Sequence, residues 1–260
     1  MMSPKALRDL KPNLTPGAKL TPLGLGAWNL EIPPGPKGRY RLAQLDDYSI
    51  QTRRSFPWQP PLTLSLKARV SDLDIPGTWG FGFWNDPFSL SLGFGGGSRR
   101  FPALPNAAWF FFASPQNYLS FRDDLPANGF LAATFRSPAW PPPVLALGVP
   151  ALPFLIWKPT TRLFRRLASR AIQQDAARLD IDVIQWHHYS LIWQKNLVSF
   201  LVDGETIFET PIVPHSPLGF VLWIDNQYAA LPPVGSLGYG TLPTEAVSWL
   251  KVEGLQIVRH

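Results

Sequence analysis

Along this chain apolar and polar positions alternate far more often than they recur at helical spacing. Residues 62–70 (LTLSLKARV) are the plainest stretch: every second residue is apolar, which predicts a strand with one face in a core and the other in water. Residues 81–84, 108–113, 129–135, 189–194, 198–202, 220–225 and 250–258 read as further strands, separated by segments rich in Pro and Gly. Asp203-Gly204, with alternating residues on both sides, predicts a tight hairpin, because that pair tolerates the positive φ angles such a turn requires. So many short strands joined by turns predict an all-β fold of two antiparallel sheets packed as a sandwich or jelly roll.

Two stretches depart from that pattern. Residues 160–178 (TTRLFRRLASRAIQQDAAR) place Leu163, Leu167 and Ala171 at i, i+4 and i+8, with Phe164, Ala168 and Ile172 beside them. Arg162, Arg166 and Arg170 repeat on another face with Arg165 nearby, so the segment predicts a basic amphipathic helix with Thr160 or Thr161 as its cap. It follows an apolar run, Val144 to Trp157, of 14 residues broken by Gly148, Pro150 and Pro153, which is too short and too interrupted to span a bilayer. Residues of about 140–178 are thus expected as an insertion with one helix. Residues 1–39 carry seven prolines and read as a basic arm laid across a jelly-roll domain of residues 40–260.

Composition narrows the class further. The chain has 260 residues, 45 % apolar and 16 % charged, enough for a substantial core and unlike a disordered chain. Its 29 Pro and 20 Gly suit turns and oppose a helical bundle. With no Cys, disulfides, thiolate metal sites and cysteine nucleophiles are excluded. The net charge of +6 is unevenly placed: residues 1–41 and 158–178 each carry +5, which leaves −4 for the rest. A slightly acidic body with two basic appendages argues against nucleic acid, whose binders spread basic residues over the folded face. The first residues lack the apolar run of a secretory signal, so a cytoplasmic location, peripheral to the membrane, is expected.

The order of certain segments carries a resemblance. Residues 64–70, the Trp-rich Pro76-Gly77-Thr78-Trp79-Gly80-Phe81-Gly82-Phe83-Trp84, then 186–193 with 198–204, then 217–224 and 249–253 follow one another as in the concanavalin A-like jelly roll. They are most similar to the laminarinase-like glycoside hydrolases of family 16. That resemblance implies a Glu-x-Asp-x-x-Glu motif on the strand after the Trp-rich segment, supplying the nucleophile and general acid of a retaining mechanism. Here the corresponding stretch, 105–113 (PNAAWFFFA), has no acid, so hydrolysis of the family type is expected to be absent. Asp180-Ile181-Asp182 echoes the motif but leads directly into Trp186-His187-His188-Tyr189, a segment that follows much later in the family, and reads as the approach to a strand. Asp72, Asp74, Asp86, Asp203 and Asp225 read as turn residues.

Other chemistry is sparse. His187 and His188 are neighbours on one strand and face opposite sides, and His215 and His260 have no partner at ligand spacing, so no metal is expected. Residues 93–100 (GFGGGSRR) lack the lysine and helix of a phosphate loop, and no cofactor is expected. Aromatic residues stand where the acids would be. Trp79, Trp84, Trp109, Phe111 and Trp223 are candidates to line a cleft for a carbohydrate or an apolar ligand, with a strand buried on both sides as the competing account. The expected function is therefore non-hydrolytic binding. The alternatives are a cyclase- or isomerase-type enzyme on a hydrophobic small molecule and a glycosidase with relocated acids. A second expected contact is an anionic membrane surface met by Trp157, Lys158, Arg162, Arg165, Arg166 and Arg170, with a helix packed on the sandwich behind a solvated arginine face, or a lid over the cleft, as the competing accounts.

Overall fold

A computed structural model describes residues 10–87, 103–140, 145 and 157–260. Sixteen strands are found among them, and fourteen form two seven-stranded antiparallel sheets. In chain order they are β1 (Lys11–Leu14), β2 (Lys19–Gly24), β3 (Ala27–Ile32), β4 (Leu42–Asp46), β5 (Leu62–Val70), β6 (Thr78–Trp84), β7 (Ala107–Ala113), β8 (Gly129–Arg136), β9 (Gln173–Arg178), β10 (His187–Trp193), β11 (Val198–Val202), β12 (Glu205–Thr210), β13 (Gly219–Asp225), β14 (Gln227–Ala230), β15 (Gly238–Thr241) and β16 (Ser248–Arg259). The front sheet runs β1-β4-β13-β6-β7-β8-β9 and the back sheet β12-β11-β10-β5-β16-β3-β2, while β14 and β15 pair as a separate hairpin.

The core lies between the sheets, and alternation selects it. Leu62, Leu64, Leu66, Ala68 and Val70 of β5 turn inward and are 0–1 % exposed, as the period-two pattern requires. They face Trp79, Phe81 and Phe83 of β6, Phe110 and Phe112 of β7, and Phe220, Leu222 and Ile224 of β13. Each large side chain so buried contributes roughly 1.5–3 kcal/mol. In β16 the register shifts between Glu253 and Gln256, so that Leu250 and Val252 before the irregularity and Leu255 and Ile257 after it all point into the core. The Asp203-Gly204 turn takes the positive φ values of 52° and 88° that its sequence predicts, and joins β11 to β12.

The structure corrects three expectations. Residues 11–32 are not an arm across the sandwich. They supply edge strand β1 of the front sheet, edge strand β2 of the back sheet and β3, whose Leu30 and Ile32 are fully buried. The helix, α1 (Lys158–Ala171), ends earlier than expected, and Gln173–Arg178 is the edge strand β9, paired with β8. Its N-cap is Trp157, with no side-chain cap, while Thr161 is buried and donates to the Trp157 carbonyl. Third, Arg165 is not an exposed basic residue: it is 5 % exposed and turned toward the protein. The apolar run before the helix, apart from Leu145 and Trp157, and the glycine-rich stretch 93–100 lie outside the described residues. No helix among the described residues is long and apolar enough to cross a membrane.

Candidate functional site

The outward face of the front sheet is the candidate. On β6 the residues that alternate outward are Thr78, Gly80, Gly82 and Trp84; on β7 they are Ala107, Trp109, Phe111 and Ala113; on β13, Val221, Trp223 and Asp225. The register sets Trp223 beside Gly80, Trp109 beside Gly82, and Trp84 between Gly219 and Ala107. Each indole therefore lies next to at least one residue with little or no side chain. A Cβ on Gly80 would meet the Phe110 carbonyl oxygen at 2.5 Å and the Trp223 ring at 2.8 Å, and one on Gly82 the Ala108 carbonyl oxygen at 2.4 Å and Trp109 Cβ at 2.6 Å, so both positions demand glycine, first because the β7 backbone lies so close and at Gly80 also because the Trp223 ring covers it.

The three rings form one aromatic floor. Trp84 and Trp223 are nearly parallel, 7° apart at 6.5 Å between centroids, and Trp109 lies 5.7 Å from Trp84 and 5.5 Å from Trp223. All three are partly exposed. Tyr48, 6.0 Å from Trp84, is 2 % exposed and packs with Phe56 and Val221 at the margin of the floor. Toward β8 and β9 the face is roofed: Phe111, Leu131, Ala133 and Phe135 pack under Ala168 of α1 and its C-cap Ile172, with Leu119 and Phe121 against them.

Polar groups border the opposite edge but are turned from solvent, Gln44, Asp46 and Asp225 all being buried. Gln44, paired with Trp223 across β4 and β13, donates from Nε2 to Asp46 Oδ2 at 2.7 Å and to the Tyr48 hydroxyl at 3.3 Å. Trp223 Nε1 donates to Thr78 Oγ1 at 2.9 Å, which donates in turn to Asp225 Oδ1 at 2.9 Å, and the Tyr40 hydroxyl donates to Asp225 Oδ2 at 3.3 Å. Burial raises the Asp225 carboxyl to about 7 against these hydrogen bonds. Asp47, which faces the sandwich interior and accepts from Trp58 Nε1 and the Phe220 amide, is also raised to about 7 by burial. The Trp84 and Trp109 indole nitrogens are buried and have no hydrogen-bond partner.

Of the residues singled out from sequence, Trp84, Trp109 and Trp223 come together. Trp79 does not: it is 1 % exposed in the core between the sheets, stacked 4.9 Å from Phe130. Phe111 is on the right face but 3 % exposed beneath the helix side of it. Asp225, read as a turn residue, is the buried end of β13. Gln44, Asp46, Tyr48 and Thr78 were not foreseen as part of the site. His187 binds Asp203 through Nδ1 at 2.6 Å, and the histidine and the neighbouring His188 amide hold that carboxyl below its usual range. Among the described residues no group of three or more His, Cys, Asp or Glu could hold a metal ion.

Neither a protein-family model nor a curated protein matches the sequence. Solved structures do match the fold. The legume lectin-like domain from Entamoeba histolytica superposes with a TM-score of 0.50 at 9 % identity, covering 100 % of this chain and 94 % of that one. The laminarinase catalytic domain from Thermotoga maritima MSB8 gives 0.49 at 10 %, with 94 % and 81 % covered. A glycoside hydrolase family 16 endo-glucanase from Bacteroides ovatus gives 0.49 at 10 %, with 93 % and 85 % covered. The chain thus shares the two-sheet jelly-roll architecture of the lectin-like domain. At this identity the likeness is one of architecture, and function has to be argued from the site.

Proposed function

We propose that the protein binds a glycan on the outward face of the front sheet and does not cleave it. The observation that carries this reading is the floor of Trp84, Trp109 and Trp223, three partly exposed rings held within 6.5 Å of one another beside glycine gaps, with polar groups along one edge. Sugar rings present apolar C–H faces that pack on aromatic rings, which is the contact these three partly exposed indoles offer.

The same geometry opposes hydrolysis. No outward position of β6 or β7 is a carboxylate. The acids of this face, Asp46 and Asp225, are four residues apart along β13, since Asp46 pairs with Val221. At 3.4 Å per residue their backbones are about 14 Å apart, beyond the roughly 5–9.5 Å that either glycosidase geometry uses. Both carboxylates are also engaged internally.

A panel of β-glucans and galactans tests the reading by calorimetry and by reducing-end release together. The expected result is saturable binding to at least one polymer with no new reducing ends. Trp84→Ala and Trp109→Ala should each lower affinity tenfold or more, since indoles at the centre of a contact commonly contribute ~2 kcal/mol or more. Thermal melts of the variants separate loss of binding from loss of fold. Reducing-end release would overturn the reading, as would a lipophilic molecule retained in a native mass spectrum with no glycan bound.

A further inference from the structure

Helix α1 is docked by a side that its sequence pattern does not mark as apolar. At 100° per residue, the buried Thr161, Arg165 and Ala168 fall in one narrow arc, and that arc, followed by the buried C-cap Ile172, faces the sheet. Arg165 anchors it: one guanidinium nitrogen donates to the Ser120 carbonyl at 2.6 Å and to the Leu231 carbonyl, the other to Asp123, and the group lies 5.2 Å from the Tyr118 ring. The leucines that define the apolar stripe are consequently turned outward. Leu163 is 53 % exposed and Leu167 54 %, with Phe164 beside them and Trp157, 67 % exposed, at the N-cap six residues before Leu163.

Next to that stripe runs a second. Lys158, Arg162, Arg166 and Arg170 recur every four residues, all exposed, and none has an ion-pair partner among the described residues. The helix contains no acidic residue. A water-facing helix surface is ordinarily polar throughout. Parallel apolar and cationic stripes on one exposed side instead match a boundary where large side chains enter an acyl layer and basic ones meet phosphate headgroups.

We infer that the exposed side of α1 is a docking surface for an anionic lipid bilayer, with Trp157, Leu163, Phe164 and Leu167 as the inserting residues and Lys158, Arg162, Arg166 and Arg170 as the headgroup contacts. The choice of occupant rests on charge: four cations with no carboxylate partner among the described residues complement an anionic surface. This contact is independent of the tryptophan floor.

Co-sedimentation of the full chain with phosphatidylglycerol-containing vesicles and with pure phosphatidylcholine vesicles is the test. It is run at about 0.01 M and about 1 M salt, between which the screening length falls from about 30 to about 3 Å. Binding is expected only to the anionic vesicles and is lost at high salt. The triple variant Arg162→Gln, Arg166→Gln, Arg170→Gln and the double variant Leu163→Ser, Leu167→Ser should each reduce partitioning about tenfold or more. Both should melt with the wild type, because every changed side chain is exposed. Equal recovery of wild type in the supernatant under all conditions overturns the inference, as does unchanged partitioning of both variants. A dimer in light scattering that Leu163→Ser, Leu167→Ser dissolves would make the stripe a self-association face and overturn it as well.

Discussion

Arg165→Met lowers stability by about 3 kcal/mol, the sum expected when two buried carbonyls each lose their donor at ~1–3 kcal/mol. Methionine matches the length of the arginine stem and keeps much of its packing, but supplies no N–H for the carbonyls of Ser120 and Leu231. Those acceptors are backbone atoms and cannot be removed along with the charge, so the variant does not benefit from the neutral replacement that buried ion pairs sometimes allow. Asp123→Asn, by contrast, costs less than ~1 kcal/mol, because the Asp123 side chain is 69 % exposed. Arg165→Lys falls between, since an ammonium on one point cannot span the three acceptors that the guanidinium fork reaches. Urea denaturation monitored by tryptophan fluorescence measures all three. Wild-type stability in Arg165→Met would show that the anchor is dispensable.

Which parts of this fold can be read from sequence depends on whether a residue's placement is decided locally. The β5 alternation and the Asp203-Gly204 turn are decided locally, and both are found where expected. Strands β1 and β2 are harder to see because Pro12 and Pro22 sit within them. The structure shows why proline is tolerated: both are edge strands, where a missing N–H removes no ladder bond on the open side. Strand β9 (QQDAAR) has no strand propensity of its own and is extended because β8 offers a free edge, with Gln174 Oε1 accepting the Phe121 amide across the roofed end of the face.

The site follows the same division. Trp79 and Trp84 are separated by an odd number of positions, so alternation alone assigns them to opposite faces; the two outward glycines between them mark which face holds the indoles of neighbouring strands. That signal is present in Thr78-Trp79-Gly80-Phe81-Gly82-Phe83-Trp84. The orientation of α1 has no such signal. Its pattern favours burial of Leu163 and Leu167, and the helix is rotated because Ser120 and Leu231 present carbonyls that only Arg165 is placed to satisfy. The polar border at Gln44, Thr78 and Asp225 depends on pairings between residues as far as 185 positions apart, which no local pattern encodes.

Asp225 gives that border a pH dependence whose direction is fixed. Its carboxyl titrates at about 7 in the folded protein because burial opposes the anion, against an ordinary value of 3.8. Between those values the folded state keeps a proton that the unfolded state has released. The stability Asp225 contributes is therefore complete below pH about 4 and is lost as pH rises through about 7, a difference on the order of 4 kcal/mol. Asparagine removes the titration while fitting the same contacts: its carbonyl can accept from Thr78 and Gln227, and the Tyr40 hydroxyl can turn to accept from the amide. The stability of Asp225→Asn relative to wild type should thus be lowest near pH 4 and rise by on the order of 4 kcal/mol toward pH 8. Asp47, raised in the same direction, and His215, which burial lowers and which acts with the opposite sign, are common to both proteins and cancel in the comparison. Urea denaturation of the pair at intervals across this range measures the difference directly. Parallel stability curves would mean that Asp225 is already ionised in the folded protein well below neutrality, with the hydrogen bonds from Thr78, Gln227 and Tyr40 outweighing burial.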